Sequence, residues 1–85
     1  MIFADYSKWN GVVNWQKALA QELDGAYLKA TGSGDGGNYV DYKFPVNSAA
    51  CPLKFKGSYH YFDYRGRSGA DQCKYFLDTC GDWGN

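Results

Sequence analysis

The 85 residues predict an α/β fold with a parallel sheet, and three observations carry that prediction. Apolar runs of strand length alternate with segments of helical periodicity three times along the chain. A helix between two strands carries the chain back, so that the next strand runs the same way. Hydrophobic residues make up 45% of the chain and charged residues 21%, a globular composition rather than that of a disordered tail. A chain of this size hides roughly 63% of its surface on folding, enough for one small core.

Residues 2–6 form an apolar run interrupted only by Asp5, which reads as a buried strand with the acid at its C-terminal end. After a turn at Asn10-Gly11, Asn14 is the expected N-cap of a helix. Trp15, Ala18, Leu19 and Leu23 share its apolar face, and Gly25 is its expected stop. Residues 26–30 alternate, with Ala26, Leu28 and Ala30 on one side and Tyr27 and Lys29 on the other. The glycine-rich segment 32–38 is expected to be a mobile loop. Asp41 is the expected N-cap of a short helix whose apolar residues are Phe44, Val46 and Ala50, with Pro45 tolerated in the first turn. Residues 53–62 then read as a third strand, with Tyr59 and Tyr61 on one side and Ser58, His60 and Phe62 on the other. Ser68 and Asp71 approximate a capping box for a last helix striped by Ala70, Cys73, Phe76, Leu77 and Cys80, and Gly81 stops it. Three such units cannot close a barrel. They leave strand edges that more chain, a second chain or another copy must pair.

Charge and cysteine content narrow the function classes. Nine basic residues balance nine acidic ones, so there is no net field to draw a nucleic acid or an anionic membrane. No apolar stretch approaches the ~20 residues that span a bilayer, and the start of the chain lacks the pattern of a signal peptide. The cellular location stays open between the cytoplasm and the exterior. Cys51, Cys73 and Cys80 show neither a C-x-x-C pair nor a histidine at zinc-ligand spacing, so no metal is expected. An odd count of three permits at most one internal bridge, and free thiols are the simpler expectation.

No cofactor is expected either. Gly32, Gly34 and Gly37 satisfy G-x-G-x-x-G, but Asp35 would sit in the phosphate cradle and Gly57 stands where a ribose-binding acid belongs. For acid–base chemistry the carboxylates are few: Glu22 belongs to the solvated side of the first helix, and Asp24, Asp71, Asp78 and Asp82 to helix ends or surfaces. Asp5 differs because α/β folds keep their sites at the C-terminal ends of strands; the alternative role for it is a cap on the following turn. Lys29 either pairs with Asp5 across neighbouring strands or lies on the surface with its stem over apolar neighbours. Tyr59 and Tyr61 suit stacking on sugar rings and suit strand packing equally. His60 lacks a nucleophile signature nearby and reads as a hydrogen-bonded core or rim residue.

Taken in order, several segments together resemble glycoside hydrolase family 25, the lysozyme-like muramidases of phages, bacteria and some fungi. They are Asp5-x-Ser7-x-Trp9-Asn10-Gly11, Trp15, Leu28-Lys29-Ala30-Thr31, Tyr39-Val40-Asp41 with Phe44 and Asn47, and Gly57-Ser58-Tyr59-His60-Tyr61-Phe62. Ala70, Gln72, Tyr75-Phe76-Leu77 and Gly81-Asp82-Trp83 look like the family's third helix and the turn after it. The resemblance implies a partial TIM-type (β/α) barrel of about three βα units with parallel strands, residues 1–85 forming the N-terminal part of the barrel domain. It implies hydrolysis of the β-1,4 bond between N-acetylmuramic acid and N-acetylglucosamine, with a peptidoglycan glycan strand as partner.

Asp5 matches the family's first-strand aspartate, an active-site carboxylate, and Lys29, Tyr59 and Tyr61 are the expected substrate-binding residues. The family's Asp-x-Glu pair is expected several residues beyond Trp83, so this segment is expected to be inactive alone, as a fragment or a separately encoded half. The resemblance also brings departures: Gly32 stands where a glutamate is usual, and the stretch between Asn47 and Gly57 is short. Phage endolysins are one expected source. The competing expectation is a non-catalytic half-barrel module that binds glycan or protein and oligomerises through its open edges, or a structural phage protein that has kept the sequence without the activity.

Overall fold

The computed structural model describes residues 2–81, so the expectations at Asp82 and Trp83 lie outside the described residues. Strand β1 is Phe3–Tyr6, followed by a short 3₁₀ turn at Lys8–Asn10 and helix α1 at Trp15–Ala20. Strands β2 (Gly25–Gly34) and β3 (Gly37–Val40) precede helix α2 (Phe44–Ala50), strand β4 (Phe55–Tyr61) and helix α3 (Gly69–Cys80). The four strands form one sheet with β2 at its centre. β1 and β4 run parallel to β2, from Phe3↔Gly25 to Tyr6↔Leu28 and from Gly25↔Phe55 to Gly32↔Tyr61. The three expected strand–helix units are therefore present.

The glycine segment is a correction. It is not a loop: the far half of β2 pairs antiparallel with β3 from Thr31↔Val40 to Gly34↔Gly37, so the sheet is mixed rather than wholly parallel. Asp35-Gly36 makes the hairpin turn, a dipeptide suited to tight turns between strands, and Gly37 takes a left-handed φ of 98° that a side chain would resist. Glycines weaken a strand but do not forbid it when the backbone ladder is complete.

The helix-side face of β2 builds the core. Ala26, Leu28 and Ala30 are fully buried and cluster with Phe44, Cys51 and Leu53, while Tyr6, Trp15, Leu23, Phe76 and Cys80 pack around them. Asn14 does cap α1, its Oδ1 accepting from the Lys17 amide, but the helix ends at Ala20 rather than at Gly25. Glu22 takes the left-handed turn with φ 62°. Gly25 belongs to the sheet instead, because any Cβ there would overlap the Phe3 ring and crowd the Phe55 carbonyl.

Two helix faces also differ from expectation. In α2 the buried residues are Phe44 and Asn47, whereas Val46 is 60% exposed. Lys43 occupies the N-cap position, and Asp41 assists from two residues upstream by accepting the Lys43 amide on Oδ1. In α3 Ser68 caps the Asp71 amide as expected, but the inward face is Gln72, Tyr75, Phe76, Thr79 and Cys80. Ala70 and Cys73 are exposed, and Leu77 is 58% exposed.

Gln72 turns inward because its amide is fully used. Its Nε2 donates to the carbonyls of Asp63 (2.9 Å) and Arg67 (2.6 Å), and its Oε1 accepts from His60 Nε2 at 2.7 Å. That orientation fixes the proton of a neutral His60 on Nε2, leaving Nδ1 to accept from Thr31 Oγ1 at 2.8 Å. His60 is thus a hydrogen-bonded link between β2, β4 and α3, as its sequence context suggests. No helix among the described residues is long and apolar enough to cross a membrane.

Candidate active site

The face of the sheet opposite the helices carries the residues with chemistry. Strand alternation puts Asp5, Tyr27, Lys29, Tyr59 and Tyr61 there, in register: Asp5 lies opposite Tyr27, Tyr27 opposite Gly57, and Lys29 opposite Tyr59. Gly57 leaves space that the Tyr27 ring fills. Below this row Phe3 stacks on Tyr27 and on Phe55, with ring centres 5.6 and 6.3 Å apart, so the floor is aromatic.

Two adjoining pockets share Tyr59 as a wall. One is lined by Asp5, Tyr27 and Tyr59; the other, of about 420 Å³, by Ser7, Trp9, Lys29, Tyr39, Tyr59 and Tyr61. Asp5 is exposed at the mouth of β1, where the strand ends before the Ser7 turn. Burial raises the pKa of the Tyr59 phenol, and the carboxylates of Asp5 and Asp41 and the phenol of Tyr39 raise it further. Tyr59 therefore stays a neutral hydrogen-bond donor. Replacing Asp5 by asparagine is expected to shift the Tyr59 titration down, since one of the negative neighbours that oppose its ionisation is gone; an alkaline NMR titration of the tyrosine ring carbons checks it.

Lys29 is only 7% exposed, which removes the reading of it as a surface lysine. It does not pair with Asp5 either. Its Nζ donates to Tyr39 Oη at 2.9 Å and lies 5.0 and 5.1 Å from the ring centres of Tyr39 and Tyr61. Tyr39 can reach it because Gly32, its partner across β2 and β3, has no side chain: a Cβ there would overlap the phenol.

The first loop is locked separately. Ser7 Oγ accepts the Trp9 amide while Asn10 Oδ1 accepts the Ser7 amide, a capping box that presents Trp9, 80% exposed, at the rim. Asp41, 1% exposed, ties this loop to the start of α2 by accepting the amides of Lys8 (3.0 Å) and Lys43 (2.9 Å). With both oxygens engaged and no access to solvent, Asp41 organises the site rather than reacting. Ser7, Trp9 and Tyr39 carry no site role in the sequence reading, and Asp41 is expected there only as a helix cap. Their places depend on the hairpin and the capping box, and of these only the Ser7-x-x-Asn10 spacing was visible. Among the described residues no three His, Cys, Asp or Glu side chains converge as metal ligands.

An acid at a strand end beside a tyrosine-walled groove is the setting in which comparison with known proteins becomes informative. The profile described as Glycosyl hydrolases family 25 matches residues 4–85. The chain belongs to that family. Over 81 residues it is also 35% identical to Lysozyme M1 of Streptomyces globisporus, a match that covers 93% of this chain and 26% of the relative. The chain thus spans about a quarter of that protein's length. No solved structure matches it. For a family 25 chain the mixed α/β architecture with a four-stranded sheet is consistent, and Asp5 lies just inside the matched region.

Proposed function

We propose that this family 25 chain is the glycan-binding opening of a muramidase-type peptidoglycan hydrolase, its sheet the first part of a closed TIM-type (β/α) barrel. In that reading Asp5 is an active-site carboxylate, and Lys29, Tyr59 and Tyr61 hold the sugar. The observation that carries it is the shared Tyr59 wall: the exposed strand-end acid and the aromatic groove adjoin on one sheet face. Sugars suit such a groove because a pyranose presents apolar C–H faces to the rings and hydroxyls to Lys29, Tyr59 and Ser7. Hydrolysis of a glycoside uses two carboxyl groups across the scissile bond. Asp5 supplies one, while Asp41, the other carboxylate that acts on the Tyr59 phenol, is sealed from solvent.

The 85-residue chain is therefore expected to bind insoluble peptidoglycan without clearing a suspension of it, because Asp41, sealed from solvent, cannot serve as the proton donor opposite Asp5, a role worth typically ~10²–10⁴ in rate. Turbidity assays and pulldown on the same preparation check both halves. Robust clearing by the pure chain contradicts the reading. Asp5→Ala separates it from a purely aromatic binding module, for which that substitution leaves retention on the glycan unchanged.

A further inference from the structure

Trp9 and Tyr39 line the groove, yet Trp9 is 80% exposed on a short loop. The capping box fixes the Trp9 backbone without holding its indole, which stacks on no other ring among the described residues. A cation lies beside it instead. Lys8 Nζ is 5.2 Å from the centre of the Trp9 ring, 5.4 Å from that of Tyr39 and 5.8 Å from that of Tyr42. One ammonium thus joins rings from the first loop, from β3 and from the turn before α2. Among the described residues no carboxylate pairs with it; the ion pairs there belong to Arg65, Arg67 and Lys74.

Asp41 fixes the backbone beneath this cluster by accepting the amides of Lys8 and Lys43, on either side of the turn that carries Tyr42. It does not reach the rings, and Tyr42 is 67% exposed. A half-buried ammonium does reach them: its charge attracts ring faces, and the faces offset the cost of holding it partly away from water. Lys8 itself is not a wall of the groove. From this we infer that Lys8 is a positioning residue, whose ammonium seats the Trp9 indole in the groove wall and ties it to Tyr42. The inference rests on the glycan reading above and adds to it a residue that acts through Trp9, without touching the sugar. Tyr39 has a second brace, the Lys29 ammonium 2.9 Å from its Oη, so loss of the Lys8 charge acts chiefly on Trp9 and Tyr42.

The test compares the 85-residue chain with Lys8→Gln, which removes the charge, and Lys8→Arg, which keeps it. In the wild-type chain the Lys8 methylene protons next to the ammonium are expected upfield of ordinary lysine values, because ring currents from Trp9, Tyr39 and Tyr42 act on them. Lysine signals at ordinary values overturn the inference without any variant. In Lys8→Gln the Trp9 indole and Tyr42 ring signals are expected to move toward those of free side chains, while the buried Gln72 amide signals stay in place and report an intact fold. Affinity for N,N′-diacetylchitobiose is expected to fall about 2–5-fold, since it scales with the fraction of molecules whose wall is seated. That sugar is neutral, so the lost charge acts on it only through the rings. Lys8→Arg is expected to restore both readouts. Unmoved Trp9 signals or unchanged affinity in Lys8→Gln, or no rescue by Lys8→Arg, overturns this inference and leaves the glycan reading standing. Failure of the wild-type chain to bind either chitobiose or insoluble peptidoglycan overturns both.

Discussion

Replacing Gln72 by leucine is expected to destabilise the chain by about 3 kcal/mol or more, although the new residue is apolar and suits a helix. The wild-type amide satisfies His60 Nε2 and the carbonyls of Asp63 and Arg67, and Gln72 is 1% exposed. Leucine matches it in size and matches none of its hydrogen bonds. Each orphaned buried polar group costs roughly 1–3 kcal/mol, which outweighs the roughly 2 kcal/mol that burying a leucine side chain contributes. Leu77→Ala, by contrast, is expected to change stability by less than about 0.5 kcal/mol, since the residue is 58% exposed and alanine is the better helix former. Urea unfolding at constant slope reads both. If Leu77→Ala proved the costlier change, the inward face of α3 would be the hydrophobic stripe after all.

Gly32→Ala is expected to reduce binding and to cost about 1–2 kcal/mol in stability, because it leaves the buried Lys29 ammonium without its phenol partner. The added Cβ overlaps the Tyr39 phenol, which sits at the free end of a side chain and swings away. Removing a strand glycine also stiffens the unfolded chain, a gain of about 0.5–1 kcal/mol that offsets only part of that cost. What is lost is the Lys29–Tyr39 hydrogen bond and the Tyr39 ring beside the Lys29 ammonium. Those contacts hold one wall of the groove in place, and displacing a wall that makes about 1–2 kcal/mol of contact with a sugar lowers glycan affinity about 5–30-fold, read by pulldown or calorimetry. Unchanged affinity would mean that Tyr39 is not part of the binding wall.

The order of strands and helices was legible because periodicity reports burial wherever the buried residues are apolar. Ala26, Leu28 and Ala30 obey it, and the caps at Asn14 and Ser68 follow from side chains that can accept an amide hydrogen. Periodicity fails at Gln72, a polar residue facing inward, and the α3 stripe was accordingly placed about one position out of phase. It also fails at the Gly32–Asn38 segment, where the pairing lives in the backbone and side chains say little; the Asp35-Gly36 turn was the remaining signal. Local pattern makes Gly25 a helix stop because its role, room for the Phe3 ring, depends on a strand that is remote in sequence.

The site was legible in part for the same reasons. Asp5 stands out by its place at the end of an apolar run and Lys29, Tyr59 and Tyr61 by strand alternation, and the structure places all four around two adjoining pockets. Tyr39 arrives through the hairpin, Trp9 through the Ser7 capping box, and Asp41 acts at a distance of 33 residues on the Lys8 amide. None of these long-range relations is written in local pattern. They also decide the chemistry, because they hold Lys29 among tyrosines and away from Asp5.

A peptidoglycan glycan is expected to bind the sheet face that carries Asp5 and the tyrosines. Chemical-shift mapping of the labelled 85-residue chain, titrated with soluble glycan fragments of peptidoglycan, tests it most directly. The account predicts perturbations concentrated at Asp5, Trp9, Lys29, Tyr39, Tyr59 and Tyr61, with α3 unmoved. Perturbations confined to the helix side, or none at saturating sugar, would contradict it.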